Sequence, residues 1–313
     1  MQRHVLITGV AGFIGAAVAK DLLKRNYKVV GVDNLSTGKL ENIPSDVEFI
    51  KLDVSSSHLK SLLAAYSFDG ILHIAGQSSA DVSYSDPIYD LNANVTSTLN
   101  LLQIAIEKNI KKFIFASSAT VYGEQENPLL LSEEQTVNPV SFYAVGKLAS
   151  ERYLSLYSKE YGINCTSLRL FNVYGPGQNL DNLNQGMASI YLAQALRQKQ
   201  ILVKGSGDRF RDFVYIDDVV QAFVSVLEAN VKAKSIINVC TGKGTTVNEV
   251  CTFIENKVKL AKPTQFSGST RGDIHGQTGD PTRLLEGSYV KSLTNFSDGM
   301  LKMIEWAQER QIN

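Results

Sequence analysis

Short apolar runs rich in β-branched residues alternate with longer helical stretches through the first half of the chain. The runs are HVLITG, KVVGVD, VEFIKLDV, GILHIAG and KKFIFASS, at residues 4–9, 28–33, 47–54, 70–76 and 111–118. Strands read as continuous apolar runs when helices cover both faces of a parallel sheet. Helical patterns occupy 13–25, 57–66, 88–109 and 142–161. This alternation predicts an α/β fold built on a Rossmann-type, doubly wound parallel sheet.

The second half of the chain has a less regular pattern. A segment rich in Gly, Asn and Asp at 175–186 is expected to form a surface loop near a ligand. Further elements are expected at 187–199, 211–216, 217–229, 235–240 and 297–310, and TVNE at 246–249 is typical of a helix capping box. We predict a Rossmann domain over 1–170 and a smaller C-terminal substrate-binding lobe over 171–313, with segments around 211–240 returning to the first domain.

Composition argues against several classes of partner. The 313 residues are 44% hydrophobic, and Lys plus Arg and Asp plus Glu number 31 each, so the formal net charge is zero. The sequence contains no basic cluster interleaved with aromatic residues, the pattern typical of nucleic-acid binding. It also contains no apolar run that approaches the length of a membrane span. The N-terminal sequence lacks the layout of a signal peptide. We therefore expect a soluble cytoplasmic protein that binds neither nucleic acid nor membrane.

Cysteine and histidine residues indicate neither a disulfide framework nor a metal site. Cys165, Cys240 and Cys251 are scattered among apolar residues, as expected for buried thiols in a reducing compartment. The four histidines show no metal-ligand spacing, so no metal is expected.

Three glycines follow the first predicted strand directly. Gly9, Gly12 and Gly15 stand in TGVAGFIG, where the first helix is expected to begin. Glycines at this spacing let the backbone approach a pyrophosphate, whose charge then lies at a helix N-terminus. A tight strand-to-helix turn without a ligand is the alternative, but the order of strand, turn and helix favours nucleotide binding.

Asp33 ends the second predicted strand, and its charge bears on which nucleotide is bound. A carboxylate there accepts hydrogen bonds from the adenosine ribose hydroxyls and repels a 2′-phosphate. The NLSTG segment that follows, at 34–38, contains no arginine to bind that phosphate. We therefore predict NAD rather than NADP. Asp53, after the third strand, is a candidate for binding the adenine amino group or for capping a helix.

Hydroxyl side chains follow the fifth predicted strand. Ser117, Ser118 and Thr120 lie in ASSATVYG, and ligands of open α/β sheets bind beyond the carboxyl ends of the strands. Hydroxyls at that edge can bind a reacting oxygen. The same residue types are also typical of turns and helix caps, so the cluster alone leaves both roles open.

Tyr143 and Lys147 stand four residues apart in SFYAVGKLASE, on the helix predicted over 142–161. Side chains at this spacing share one helix face. A free tyrosine has a pKa of about 10, and a neighbouring ammonium or a positively charged nicotinamide ring favours the phenolate. The pair predicts a tyrosine that acts as a base near neutral pH. A solvated helix surface would show the same spacing.

Together these motifs resemble the extended short-chain dehydrogenase/reductase family, and within it the nucleotide-sugar epimerase group typified by UDP-glucose 4-epimerase. The resemblance runs nearly end to end and rests on TGVAGFIG, DNLSTG, LDV, HIAGQSSADVSYSDP, NANVTSTLNLL, SSATVYG, SFYAVGK, LRLFNVYGPGQ and GSGDRFRDFVYIDDVV. It implies that Ser118, Tyr143 and Lys147 are catalytic. It implies cofactor contacts at Gly9, Gly12, Phe13, Ile14, Gly15, Asp33, Asn34, Ser36, Gly38, Asp53, Val54, Ala75, Gly76, Gln77, Asn94, Tyr143 and Lys147. It implies substrate contacts at Ser118, Thr120, Asn172, Arg211 and Arg271.

The resemblance also implies a reaction, the NAD-dependent epimerisation of a nucleotide sugar through a transient 4-keto intermediate. The expected substrate is a UDP-hexose such as UDP-glucose or UDP-galactose, or an N-acetyl form. Relatives that dehydrate or decarboxylate nucleotide sugars carry a glutamate where this chain has Thr120. Two alternatives stay open: a nucleotide-sugar 4-ketoreductase, which can use the same serine, tyrosine and lysine, and a non-catalytic NAD-binding protein.

Two positions depart from the family pattern. The arginine that relatives carry in Arg-x-Gly-Asp stands one place late in TRGD, so Arg271 is a weaker match for the phosphate-binding residue. Gln277 occupies the position that limits N-acetyl sugars in relatives, and it is neither a large aromatic nor a small residue. The resemblance also implies a homodimer. The helices at 88–109 and 142–161 carry the broad apolar faces of a helix-pair interface, but two core-facing helices would show the same faces.

Overall fold

The structure, a computed structural model, describes residues 2–125, 130–183, 186–229, 235–269 and 274–310. The strands are β1 His4–Thr8, β2 Lys28–Asp33, β3 Glu48–Lys51, β4 Gly70–His73, β5 Lys112–Ser118, β6 Asn164–Leu170, β7 Asn172–Tyr174, β8 Leu202–Lys204, β9 Phe210–Tyr215, β10 Ile236–Val239, β11 Gly244–Thr246, β12 Gln265–Ser267 and β13 Gly276–Gln277. The helices are α1 Phe13–Lys24, α2 Leu59–Leu62, α3 Ala80–Ser85, α4 Pro87–Leu91, α5 Ser97–Glu107, α6 Phe142–Tyr161, α7 Met187–Gln198, α8 Ile216–Glu228, α9 Val247–Lys257, α10 Thr282–Glu286 and α11 Phe296–Glu309.

Within the described residues, seven parallel strands form the central sheet in the order β10-β6-β5-β4-β1-β2-β3. Side chains alternate across it: Val5 and Ile7 belong to one hydrophobic cluster, and Leu6 belongs to the other, on the opposite face. The chain order reverses between β1 and β4, which is where open α/β sheets bind ligands. The predicted doubly wound α/β fold is confirmed.

The remaining strands form two smaller sheets. Strand β9 pairs with β7, β11 and β13 in a four-stranded sheet, and β8 pairs with β12. Of the segment around 211–240, helix α8 packs against α1 and strand β10 extends the central sheet, whereas β9 stays in the four-stranded sheet. The chain therefore crosses between the two parts more than once, and it places β7 and β9 beside the ligand-binding edge.

The strand at 28–33 and the helix at 142–161 have their predicted bounds, and the capping box at Thr246 and Glu249 is confirmed. The helix predicted over 57–66 is wrong in length, since α2 covers only Leu59–Leu62. At its start the Ser56 hydroxyl accepts from the His58 N–H at 3.2 Å, and past its end the Lys108 side chain donates to the carbonyls of Ala64 and Tyr66.

The helix predicted over 88–109 is interrupted. A π-helical turn at Asn92–Thr96 joins α4 to α5. In that turn the Asn94 carbonyl accepts from the Thr98 hydroxyl at 2.7 Å and from the Ser150 hydroxyl of α6 at 2.8 Å. These side-chain bonds satisfy a carbonyl that the wide turn leaves without its usual helical partner.

Candidate active site

A groove with a volume of about 730 Å³ opens at the carboxyl ends of the central strands and extends toward the four-stranded sheet. This volume is within the usual range of small-molecule sites. The predicted site residues that line it are Gly9, Gly12, Phe13, Ile14, Gly15, Asp33, Asn34, Ser36, Gly38, Asp53, Val54, Ala75, Gly76, Gln77, Ser118, Thr120, Tyr143, Lys147, Asn172 and Arg211. Asn94 is buried behind this lining. Arg271 lies outside the described residues.

The turn after β1 holds the backbone close to the groove. Gly9 has a φ of +74°, which glycine adopts without strain. A Cβ on Gly15 would lie 2.0 Å from the Gly9 carbonyl oxygen, so only glycine allows this approach. Helix α1 begins after Gly12 without a side-chain cap and without an acidic residue in its first turn. Its N-terminal N–H groups and its dipole therefore favour an anion at this end of the groove.

Asp33 is held in place at the edge of this turn. One carboxylate oxygen accepts from the Ala11 N–H at 3.0 Å, and the other accepts from the Leu35 N–H at 2.8 Å. The carboxylate is buried against the backbone on one side and lines the groove on the other. Each oxygen has a second lone pair, which is available to the hydroxyls of a bound ribose.

Asp53 stabilises a turn. Its carboxylate accepts from the Ser55 N–H and hydroxyl at 2.8 and 2.7 Å and from the Asn34 amide at 2.8 Å. Helix α2 begins several residues later, so Asp53 is not a helix cap. The contact with Asn34 links the ends of β2 and β3 at the rim of the groove.

The hydroxyl cluster divides into two parts with different surroundings. Ser117 is buried, and its hydroxyl donates to Glu151 at 2.5 Å, inside the protein. Ser118 faces the groove, where its Oγ accepts from the Thr120 hydroxyl at 3.0 Å, and its hydroxyl favours the phenolate of Tyr143. Ser118 and Thr120 are therefore the residues of this cluster that can bind a reacting oxygen.

Helix α6 carries the predicted base and its lysine. The Ser141 hydroxyl caps the helix by accepting from the Ala144 N–H at 3.2 Å, which places Tyr143 in the first turn at the groove. Lys147 is one turn later and only 3% exposed. Its Nζ lies 4.8 Å from the centre of the Phe115 ring and 5.8 Å from the centre of the Tyr143 ring. The predicted pairing of phenol and ammonium on one helix face is present.

Burial dominates the electrostatics of this pair. It raises the pKa of Tyr143 to about 12, against a hydrogen bond with Ser118 that favours the phenolate, and the charge of Asp90 raises it too. Burial also lowers the pKa of Lys147 to about 8, although the carboxylates of Asp90 and Glu151 favour the ammonium. The pKa of Tyr143 is therefore raised where the spacing predicted a lowered value, because burial removes the phenol from water.

A buried ion pair that the sequence motifs did not indicate lies beneath α6. The Arg169 guanidinium donates to both carboxylate oxygens of Glu151, at 2.9 and 2.7 Å, and both residues are almost fully buried. The guanidinium also lies 4.7 Å from the centre of the Tyr122 ring. With the hydroxyl of Ser117, these contacts join β5, β6 and α6 directly under Lys147.

The far part of the groove is basic. The guanidinium of Arg211 donates to the backbone carbonyls of Phe210, Ile274 and His275, at 2.7, 3.0 and 3.3 Å. Burial and the charge of Arg209 together lower its pKa to about 10. Two guanidinium groups held this close favour an anion between them. The motifs indicated Arg211 and Asn172, but not Arg209, which lines the same groove.

Gln277 also lines the groove, as the family position implied. It is buried, and its Nε2 donates to the Gly123 carbonyl at 2.7 Å. This bond holds the Gln277 side chain against the turn after Ser118. At this position the groove is therefore lined by an amide of intermediate size.

The described residues contain neither a cluster of metal ligands nor a helix that could span a membrane. In the described part of the chain, no cluster of three or more His, Cys, Asp or Glu side chains could hold a metal ion. None of the helices that the structure describes is long and apolar enough to cross a membrane.

Known proteins resemble this chain over nearly its whole length. The model of the NAD dependent epimerase/dehydratase family matches residues 5–240. A UDP-glucose 4-epimerase from Mycolicibacterium smegmatis is 34% identical over 313 residues, covering 98% of this chain and 99% of the relative. The crystal structure of UDP-glucose 4-epimerase with UDP-glucose from Thermotoga maritima has a TM-score of 0.93 and 31% identity, covering 98% of this chain and 99% of its own. The Thermus thermophilus UDP-glucose 4-epimerase complex with NAD has a TM-score of 0.91 and 31% identity, covering 97% and 99%.

Proposed function

Since this chain belongs to the NAD-dependent epimerase/dehydratase family, we propose that it is an NAD-dependent UDP-hexose 4-epimerase. The observation that carries the proposal is that Ser118, Tyr143 and Lys147 line one groove with the glycine turn and Arg211. A phenol and a hydroxyl that face the same groove can act together on one hydroxyl-bearing carbon. All three cysteines are buried, which suits a reducing compartment, and we place the enzyme in the cytoplasm.

The residues of the first part of the groove fit NAD. The glycine turn and the N-terminus of α1 suit its pyrophosphate, and Asp33 suits the adenosine ribose hydroxyls. Lys147 would hold the ribose of the nicotinamide. When bound, NAD supplies the acceptor and then the donor of a hydride at the reacting carbon. In this proposal the predicted domain over 1–170 holds NAD and the lobe over 171–313 mainly holds the sugar nucleotide.

Tyr143 is the proposed base. Its phenolate accepts the proton of the C4 hydroxyl, while Ser118 hydrogen-bonds the same oxygen as it becomes a carbonyl. Lys147 and the positively charged nicotinamide ring both favour the phenolate, which opposes the effect of burial on its pKa. After the keto sugar has presented its opposite face, the phenol returns the proton. No proton or electron is gained or lost overall.

The diphosphate of the substrate belongs at the basic part of the groove. Arg211 and Arg209 supply positive charge there, and Asn172 adds an amide on β7. Arginine binds phosphate with two parallel hydrogen bonds, so it gives orientation as well as affinity. Gln277 is neither large enough to exclude an N-acetyl group clearly nor small enough to admit one clearly. Both plain and N-acetyl hexoses are therefore candidate substrates.

Incubation with UDP-glucose, UDP-galactose and their two N-acetylamino counterparts tests the proposal. We expect reversible interconversion within at least one pair, measured by chromatography or proton NMR, and NAD in the nucleotide extracted from the purified protein. Absence of conversion in all four reactions, combined with NADPH-dependent reduction of a 4-keto nucleotide sugar, would identify a ketoreductase instead.

Replacing Asp33 with asparagine is expected to weaken NAD binding about 10- to 100-fold, because a charged acceptor for the ribose hydroxyls is lost. NADP binding should strengthen at the same time, since the carboxylate no longer repels a 2′-phosphate. Calorimetric titration with each nucleotide measures both constants. Asp46→Asn, at an exposed carboxylate between β2 and β3, is the matched control. Unchanged affinities for both nucleotides in Asp33→Asn would contradict this assignment.

We also propose that the enzyme is a homodimer whose interface includes α6. Phe142, Val145, Tyr153 and Leu156 are exposed and form one stripe along this helix, next to exposed Leu91 of α4. An apolar stripe of this length is unusual on a monomer surface. A second copy of the chain would cover it by packing α6 against α6.

Light scattering should give twice the chain mass of 34.3 kDa. Leu156→Glu places an unpaired charge in the proposed interface and should raise the dimer dissociation constant by about 100-fold or more. Leu301→Glu, at an exposed apolar position on α11, should leave the dimer intact. A wild-type monomer at micromolar concentration would refute the proposal.

A further inference from the structure

Beneath the proposed catalytic pair lies a buried carboxylate that no sequence motif indicated. We propose that Asp90 is a positioning residue that orients the amide of Asn94 and holds Lys147 in its charged form. The inference deepens the proposed function, on which it rests, because Lys147 and Tyr143 are the groups through which Asp90 would act.

Asp90 is built into the protein rather than placed on its surface. It is 2% exposed, on helix α4, whose packing partner is α6. Its Oδ1 accepts from the Gln77 amide at 2.6 Å and from the Asn94 amide at 3.2 Å. A buried carboxylate costs free energy unless it is hydrogen-bonded or paired with a charge. Two amide donors reduce that cost but do not neutralise the charge.

The orientation of Asn94 follows from these contacts. Its Nδ2 donates to Asp90 and, at 3.0 Å, to the Gln77 carbonyl, so both its hydrogens have acceptors. Its Oδ1 must then point the other way, and this buried oxygen has no hydrogen-bond partner among the described residues. Because the Nδ2 of Asn94 is already bonded, its Oδ1 is oriented to accept a hydrogen bond from a neighbouring donor.

Lys147 faces the same space as that oxygen. A Cβ placed on Gly76 would lie 2.7 Å from the Asn94 Oδ1 and 2.9 Å from the Lys147 Nζ. Because residue 76 is a glycine, the space between its backbone, the Asn94 amide and the Lys147 ammonium is not filled by a side chain. The amide oxygen and the ammonium border this room together, at the lining of the groove.

The charges around Lys147 single out Asp90. Glu151, on the same helix, also favours the ammonium, but its carboxylate is paired with Arg169 at 2.7 Å. His73, from β4, has a pKa lowered to about 3 by burial and is neutral. Phe115 of β5 contributes an aromatic face, and Tyr143 contributes its phenol.

Asp90 is packed against α6 next to Lys147, since a Cβ on Gly146 would lie 3.6 Å from its Oδ2, and its hydrogen-bond partners are neutral amides. Burial raises the pKa of Asp90, while the Gln77 amide, the charge of Lys147 and the Asn94 amide favour its ionised form. The interaction is mutual, since Asp90 favours the ammonium of Lys147. The same negative charge disfavours the phenolate of Tyr143. The carboxylate of Asp90 thus raises the pKa of both Tyr143 and Lys147.

This double effect gives a distinctive expectation for Asp90→Asn, which keeps the shape and removes the charge. The pKa of Lys147 should fall because its ammonium loses a counter-charge, and the pKa of Tyr143 should fall because its phenolate loses a repelling neighbour. Both limbs of the profile of kcat/KM against pH should therefore move to lower pH, by about one unit each. A residue with only a structural role would lower activity without moving either limb.

Two titrations that need no substrate separate this inference from the proposed function. Phenolate absorbance of Asp90→Asn, with the titration of the Asp90→Asn, Tyr143→Phe protein subtracted, reports Tyr143. The rate of Lys147 acylation against pH, followed by peptide mass spectrometry, reports the lysine. Asp86→Asn is the control, because Asp86 is an exposed cap of the same helix and asparagine caps equally well.

Downward shifts of both groups in Asp90→Asn, with none in Asp86→Asn, would support the inference even if no UDP-hexose is converted. Unchanged midpoints, or a shift in only one group, would overturn it whether or not the wild type is an epimerase. If Asp90→Asn does not fold, Asp90→Ser provides a smaller neutral side chain for the same measurements. Asp90→Glu, which retains the charge, should keep both midpoints near those of the wild type.

Discussion

Tyr143→Phe is expected to lower kcat about 100- to 10,000-fold, the usual contribution of a general acid–base group. The substitution removes one hydroxyl and keeps the ring, so packing at the start of α6 should not change. Because the phenol acts on the proton of the reacting hydroxyl, KM should change far less than kcat. Interconversion of UDP-hexoses, measured at saturating substrate, gives both constants.

Tyr161→Phe is the matched control for that experiment. Tyr161 is an exposed tyrosine at the end of the same helix, where its ring contacts only Tyr157 among the described aromatic residues. Wild-type kinetics are expected for this control. A kcat within about threefold of wild type in Tyr143→Phe would show that another group transfers the proton, since a base contributes far more than that.

The second large effect is on stability. Arg169→Met should lower the free energy of unfolding by about 3–5 kcal/mol, because it leaves the buried carboxylate of Glu151 without its cation. The Ser117 hydroxyl would still donate to Glu151, but one neutral donor cannot replace a bidentate guanidinium. Urea denaturation monitored by circular dichroism measures the loss.

Replacing both partners provides the control. The double variant Arg169→Met, Glu151→Leu removes the uncompensated charge, so it should recover much of the stability that the single variant loses. If the single variant lost less than about 1 kcal/mol, the pair would have to be solvated in solution, which would contradict its burial. A double variant less stable than the single one would show that the pair also positions α6 against β5 and β6.

Local sequence patterns were sufficient to predict a strand or helix whose bounds depend on its own residues. The apolar runs predicted the parallel strands, and the helical pattern predicted both bounds of the helix at 142–161. In the structure Ser141 caps its start, and Gly162 ends it in the left-handed conformation. The prediction over 57–66 was wrong in length: α2 ends at Leu62, and beyond it the carbonyls of Ala64 and Tyr66 accept from Lys108 at the end of α5, a contact that no local pattern shows. The π-turn at Asn92–Thr96 was not predicted, since its carbonyl partner Ser150 comes from another helix.

The same distinction applies to the site. The glycine turn, Asp33, Ser118, Tyr143 and Lys147 are recognisable because each lies in a short motif whose spacing has a physical reason. Arg209 stands in the GSGDRFRDFVYIDDVV segment two residues before Arg211, a spacing that favours one strand face, but no role was predicted for it. Asp90 lies outside the quoted segments, and its role depends on which elements are neighbours. Burial also reverses one expectation, because it raises the pKa of Tyr143 when the spacing alone predicts a lowered value.

By itself the sequence determined the α/β fold, the nucleotide turn and the tyrosine–lysine pair, because each depends on residues near one another along the chain. Only the tertiary structure decided how these groups are surrounded. It paired Glu151 of α6 with Arg169 of β6, and it packed the carboxylate of Asp90 on α4 against α6 near Lys147. The reason is that desolvation and charge interactions depend on distance in space, and the sequence does not specify that distance when the groups lie on different elements.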